Sequence, residues 1–157
     1  MRMTSVWQRL FPRSLDNTFD GYRVALWLFG FVTLIRAVQS VAIIFNGWDT
    51  IINADGIPLE SYPSGAAQNI IALFAIVSVW RLIFCLAGLV VLVRYRSAVP
   101  IMFVLHMLSY LGAVLSSEFV PLMRVGSPPG PLVNLGQFVV MSVGLVLSLI
   151  PRRDTLQ

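Results

Sequence analysis

Six side chains capable of chemistry fall inside long apolar runs: Arg36, Arg81, Cys85, His106, Tyr110 and Glu118. Two guanidinium groups in an apolar setting can hold a carboxylate or phosphate through paired N–H donors. Glu118 is the one acid within those runs, so it is the one charged partner they offer to either arginine. His106 is the only histidine. A bis-histidine haem would need a second one from a partner, and zinc would need more ligands than the chain has. His106 therefore reads as a packed side chain, hydrogen-bonded to Tyr110 four residues on. Cys85 is the only cysteine, which excludes an internal disulfide or a CxxC redox pair; it reads as a small packing residue. Asp49, Asp55 and Glu60 lie close together but lack the spacing of a calcium loop. No nucleophile–base set, P-loop or HExxH motif is present. The sequence thus assigns no catalytic residue, no metal and no cofactor.

The elements that must position these residues are apolar helices. Of the 157 residues, 57% are hydrophobic and only 11% charged, against about 25% charged in soluble domains. Mean hydropathy is +0.83. The longest run, Gln68 to Arg96, has Arg81 near its middle and no other charge or proline between Asn69 and Val93. At about 1.5 Å per residue it exceeds the roughly 30 Å of hydrocarbon in a bilayer. Four spans are expected, at about 22–45, 67–93, 99–119 and 132–150, in a single domain over 1–157. The fold class is all-α, an integral membrane four-helix bundle. Before the first span, three arginines, Pro12 and a polar break at Asp16-Asn17-Thr18 argue against a cleavable signal. Trp7, Leu10 and Phe11 suggest a short segment on the membrane surface.

Arginine counting sets the threading. Arg2, Arg9, Arg13 and Arg23 precede span one, Arg94 and Arg96 join spans two and three, and Arg152 and Arg153 follow span four; the opposite side has only Arg124. This places both termini in the cytoplasm. The scattering of arginines at the ends of apolar runs also argues against a nucleic-acid partner, despite the net charge of +4. The loop Asn46–Ala66, acidic and turned at Asp55-Gly56, is expected to make a short hairpin or a cap on the bundle. The turn Arg94–Ser97 is so short that spans two and three are expected to be antiparallel neighbours.

Small and polar residues recur at helical spacing on every span: Gly30, Thr33, Arg36 and Ser40; Ser78, Arg81, Cys85 and Gly88; Met102, His106, Ser109 and Gly112; Asn134, Gln137, Met141, Gly144 and Ser148. Membrane helices place such stripes at their contacts, so all four are expected to face inward. Arg36 then lies about 21 Å, and Arg81 about 18 Å, from the cytoplasmic ends of their spans. Charges at that depth need a partner or water. The expected result is a hydrated cavity toward the outer side, holding Arg36, Gln39, Asn69, Glu118, Asn134 and Gln137, with Arg81, His106 and Tyr110 beside it. The structural alternative is that Arg36 bonds Gln137, Asn134 or carbonyls and only fixes helix register.

Asp55–Leu59 (DGIPL), Val93–Ser97 (VRYRS) and Gly126–Leu135 (GSPPGPLVNL) resemble segments of small uncharacterised bacterial four-span inner-membrane proteins. The resemblance covers most of the chain. It implies a location, the bacterial inner membrane, and a span count, but no activity. The layout is also similar to that of DoxX-type four-helix proteins, in span number and an arginine in span one. Three functional readings follow, in this order: a non-enzymatic protein that assembles with itself or with partner membrane proteins in the bilayer; a binder or transporter of a small anionic or amphipathic molecule through Arg36 and Arg81; and a redox or quinone-linked subunit using His106 and Tyr110.

Overall fold

Prolines and polar turns mark where the long helices begin and end. The computed structural model describes residues 6–12 and 14–151; Arg2, Arg13, Arg152 and Arg153, which enter the charge count, lie outside them. A short helix α1 (Val6–Leu10) precedes α2 (Arg23–Phe45). A one-turn helix α3 (Gly47–Thr50) runs into a wide turn at Ile51–Asp55 and a 3₁₀ turn at Leu59–Ser61. Helix α4 (Ser64–Arg94) starts directly after Pro63, whose fixed φ suits a helix entry. A second 3₁₀ turn, Arg96–Ala98, leads to α5 (Val99–Phe119), which carries Pro100 in its first turn. Helix α5 stops two residues before Pro121, and α6 (Gly130–Leu149), with Pro131 in its first turn, stops just before Pro151. Among the described residues there is no strand, and α2, α4, α5 and α6 are long and apolar enough to cross a membrane.

Helix α2 is the hub. It packs against α4 on one side and α6 on the other, and α6 in turn packs against α5. Helices α4 and α5 touch little beyond the turn that joins them. The two expected antiparallel neighbours share a turn and then diverge from it. The reason lies in the packing partners. The base of α5 is held by Phe103, which is buried edge-on against Phe29 of α2 with ring centroids 5.1 Å apart. Ala25, Val32, Val99, Met102 and Met141 complete this core. All of it lies in the half of the bundle that contains the 94–98 turn, here called the base. At the other end, the loop end, α5 has no comparable anchor, and nearly every residue from Leu111 to Val120 is exposed. Gly112, expected to face inward, is exposed for the same reason. The other three stripes face inward over most of their length.

At the loop end, Ile51, Ile57, Leu59 and Ala67 form a second cluster, packed with Ile70, Ile71 and Phe74 of α4. The loop is thus a helical cap and no hairpin forms. Gly56 makes the reversal possible: at φ 73° it is left-handed, and its N–H turns back to the Ile52 carbonyl. The Val125 N–H then donates to the Gly56 carbonyl at 2.8 Å, tying the two loops together. At the base, Asp16 and Ser97 exchange hydrogen bonds near 3.0 Å, and Arg9 donates to the Leu149 carbonyl at the end of α6. Many large apolar side chains face outward, among them Trp27, Phe45 and Trp80.

Gly144 sets how closely α5 and α6 approach. A Cβ there would lie 2.5 Å from two ring atoms of the buried Phe103. Gly144→Ala is expected to destabilise the fold by about 1–3 kcal/mol through overpacking. Gly136→Ala, at a helical position with open space around it, is expected to be neutral or to stabilise by up to about 1 kcal/mol. Unfolding of both variants in a mild detergent measures the difference.

Candidate functional site: a cavity lined by two arginines

Arg36 is carried on α2 by a run whose buried face reads Phe29, Val32, Thr33, Arg36, Ala37 and Ser40. That spacing points the guanidinium into the bundle, where the residue is only 8% exposed. Its Nε donates to Oε1 of Gln137 on α6 at 3.1 Å. The Gln137 amide nitrogen donates onward to Oε1 of Gln39 at 3.3 Å. Gln137 thus accepts from one α2 side chain and donates to another three residues on, which locks the register of α2 and α6. Beyond that Nε bond, the Arg36 guanidinium makes no hydrogen bond or ion pair with a described residue. Arg81, half-buried on α4, makes none with a described residue.

Both arginines line one cavity of about 70 Å³, together with Gln39, Ser109, Tyr110, Ala113 and Asn134. Two like charges therefore face a shared space that holds no acid. Tyr110 is set in place by stacking on Phe138 of α6, with centroids 4.8 Å apart. Ser109 and Ala113, one turn apart on α5, form the far wall. The cavity opens beside a larger groove of about 530 Å³ between α4 and α5, and Arg81 and Ala113 line both.

Of the residues expected at a polar cavity, Arg36, Gln39, Arg81, Tyr110 and Asn134 line it, and Gln137 hydrogen-bonds two of them. Three lie elsewhere. Asn69 is exposed on α4, and Glu118 is exposed near the free end of α5, with no salt bridge to Arg36. Glu118 is kept away because α5 leaves the bundle before reaching it. His106 is fully buried, wedged between the rings of Phe29 and Phe84 at 5.5 and 4.7 Å. Its Nδ1 pairs with the Met102 carbonyl at 3.1 Å, not with Tyr110. A carbonyl only accepts, so Nδ1 carries the proton and Nε2 the lone pair. That Nε2 and the Thr33 hydroxyl are the two fully buried side-chain atoms left without a partner among the described residues. Sequence spacing had marked both residues as inward-facing but carried no sign that they would go unpaired.

The lining residues with no counterpart in the expected set are Ser109 and Ala113. Ser109 belonged to the α5 stripe, and its helical spacing was the signal for it.

The loop acid Asp55 is the carboxylate that feels these charges from outside. Burial pushes its carboxyl up from the ordinary 3.8, while Arg124 and then Arg81 pull it back down. A carboxyl raised in the folded state binds more protons there than in the unfolded chain. Its contribution to stability is then full below about pH 4 and is lost as pH rises through the raised value. Asp55→Asn is expected to flatten this fall and leave the protein more stable at neutral pH. Thermal unfolding of the two proteins from pH 4 to pH 8 measures it; equal slopes would exclude the effect.

No protein-family model, curated protein or solved structure matches the chain, so its function is read from the geometry of this site.

Proposed function

We propose that the chain is a multi-pass membrane protein, with its base and both termini on the cytoplasmic side, that binds a small anionic molecule between Arg36 and Arg81. Length and composition of the four helices support the membrane setting, as do the outward-facing Trp27, Phe45 and Trp80. The arginine excess at the base supports the orientation. Among the described residues, Arg9, Arg23, Arg94 and Arg96 lie there, against Arg124 at the loop end.

One observation carries the binding reading: two guanidinium groups line a common cavity with no acid on its wall. A structural arginine in low dielectric is normally given a carboxylate or a full set of acceptors, because the unpaired charge costs several kcal/mol. Here Arg36 has one neutral acceptor for one of its nitrogens, and Arg81 has none. A bound carboxylate would accept from both. In the first reading, assembly with other membrane helices, the exposed Gly112 and the exposed residues beyond it on α5 are the supporting feature. His106, sealed among aromatic rings, does not reach the cavity wall and lends nothing to a quinone site there.

Two variants test the binding reading. Arg81→Gln removes one of two like charges, so the ligand-free protein is expected to unfold at a higher temperature than the wild type. Gln137→Glu supplies the missing acid beside Arg36 and is expected to act in the same direction. Both should abolish stabilisation by added acetate, which for a simple binder reaches about 2.7 kcal/mol at a hundred times Kd. Loss of stability in Arg81→Gln, with no acetate effect in the wild type, would instead show a purely structural arginine.

Orientation has its own measurement. A cysteine replacing the exposed Glu60, in a Cys85→Ser background, is expected to react with an impermeant maleimide in intact cells. Reaction only after lysis would reverse the threading.

A further inference from the structure

The α4–α5 groove has the shape and lining of a chain-binding site that leads into the arginine cavity. Its walls are Leu73, Phe74, Val77 and Ser78 on α4, Ser116 and Ser117 on α5, and Val120 and Leu122 just beyond. From Arg81 to Leu73 it runs about 12 Å along α4 toward the loop end. Arg81 and Ala113 belong to both spaces, so groove and cavity adjoin at those two residues. At the inner end stands Arg36, nine-tenths buried, with its terminal nitrogens bonded to no described residue.

We propose that cavity and groove together hold one long-chain carboxylate, with its carboxyl group between Arg36 and Arg81 and its chain lying in the groove. This rests on the anion-binding reading above and names the ligand class. The cavity volume makes the choice of head. At about 70 Å³ the cavity is small beside the groove, and a carboxylate is a compact head that can accept from two guanidiniums at once. The groove makes the choice of tail. A purely hydrophilic anion would leave some 530 Å³ of mostly apolar groove beside it unused, and a neutral lipid chain would leave both guanidiniums unpaired. A single chain with a carboxylate end satisfies both. The groove is open along the side of the bundle, so such a ligand enters from the outer leaflet without passing through water.

The test compares acetate, dodecanoate and dodecanol on the purified protein in a non-ionic detergent, by native mass spectrometry for adducts and by thermal unfolding. The wild type is expected to carry one dodecanoate and no dodecanol. Arg81→Gln should weaken dodecanoate at least about tenfold, as expected for a lost charge-assisted contact. Ala113→Phe, at an exposed position, narrows the junction; it should cost a similar factor for dodecanoate while leaving acetate stabilisation intact. Val77→Trp, also exposed, fills the groove itself and serves if Ala113→Phe does not fold. Acetate binding without any dodecanoate adduct, or dodecanoate binding indifferent to both groove variants, would overturn the chain site and leave the arginine site standing. Failure of both ligands would overturn both. Dodecanol binding that survives Arg81→Gln would mark an apolar groove unrelated to the arginines. A dimer broken by the groove variants would assign the groove to a second copy of the chain.

Discussion

A guanidinium group taken out of water must find acceptors, and this requirement organises the middle of the molecule. Arg36 meets part of it through Gln137, and Gln137 holds its own geometry by donating to Gln39. The three side chains tie α2 to α6 at one level and so fix the register of the helix that every other long helix depends on. What that network leaves unmet is the more informative part. Gln137 can give Arg36 only one oxygen, since its amide nitrogen donates and cannot accept. The remaining donors, and those of Arg81, face a cavity walled by a phenol, two amides and a hydroxyl, all of which can donate or accept but none of which carries charge.

The bundle accommodates this by being unequal along its length. The base is closed by aromatic and methionine packing, with Phe29, Phe103 and Met141 essentially free of solvent. The loop end is closed by the Ile51–Leu59 cap, which packs on α4 and meets the start of α6 at Gly130 but does not cover α5. Between these two clusters, α4 and α5 separate and expose the arginine level from the side. A fully closed four-helix ring would have buried both charges beyond reach of any ligand, and a looser base would have let them pair with water from below. Two apolar clusters at different heights leave one lateral opening between them.

Much of this was legible in the chain. Long apolar runs bounded by prolines and arginines gave the helices to within a few residues, because their limits are set by local chemistry. Helical spacing gave the inward faces of α2, α4 and α6, and with them Arg36, Arg81 and Gln137. It failed on α5 beyond Tyr110. A stripe says which face of a helix is apt for contact, but not whether a neighbour stands opposite. That depends on where the other helices are anchored. The same blindness put Glu118 and Asn69 in the cavity: each is at a suitable height, but height along the bundle does not decide direction across it. His106 turned to its own helix backbone at Met102 because an i−4 carbonyl is always within reach, whereas Tyr110 was drawn away by Phe138.

The free end of α5 has a mechanical meaning. Past Tyr110, its last stacked contact, α5 extends nine residues to Phe119, about 13 Å, with little to lean on. It is a cantilever clamped at Phe103 and Tyr110. A tilt of about 10° at the clamp would swing its tip through about 2 Å but move Ala113, three residues past the clamp and beside Arg81, by less than about 1 Å. The groove residues Ser116 and Ser117 ride on this stretch, so the wall facing α4 is the least supported part of the bundle.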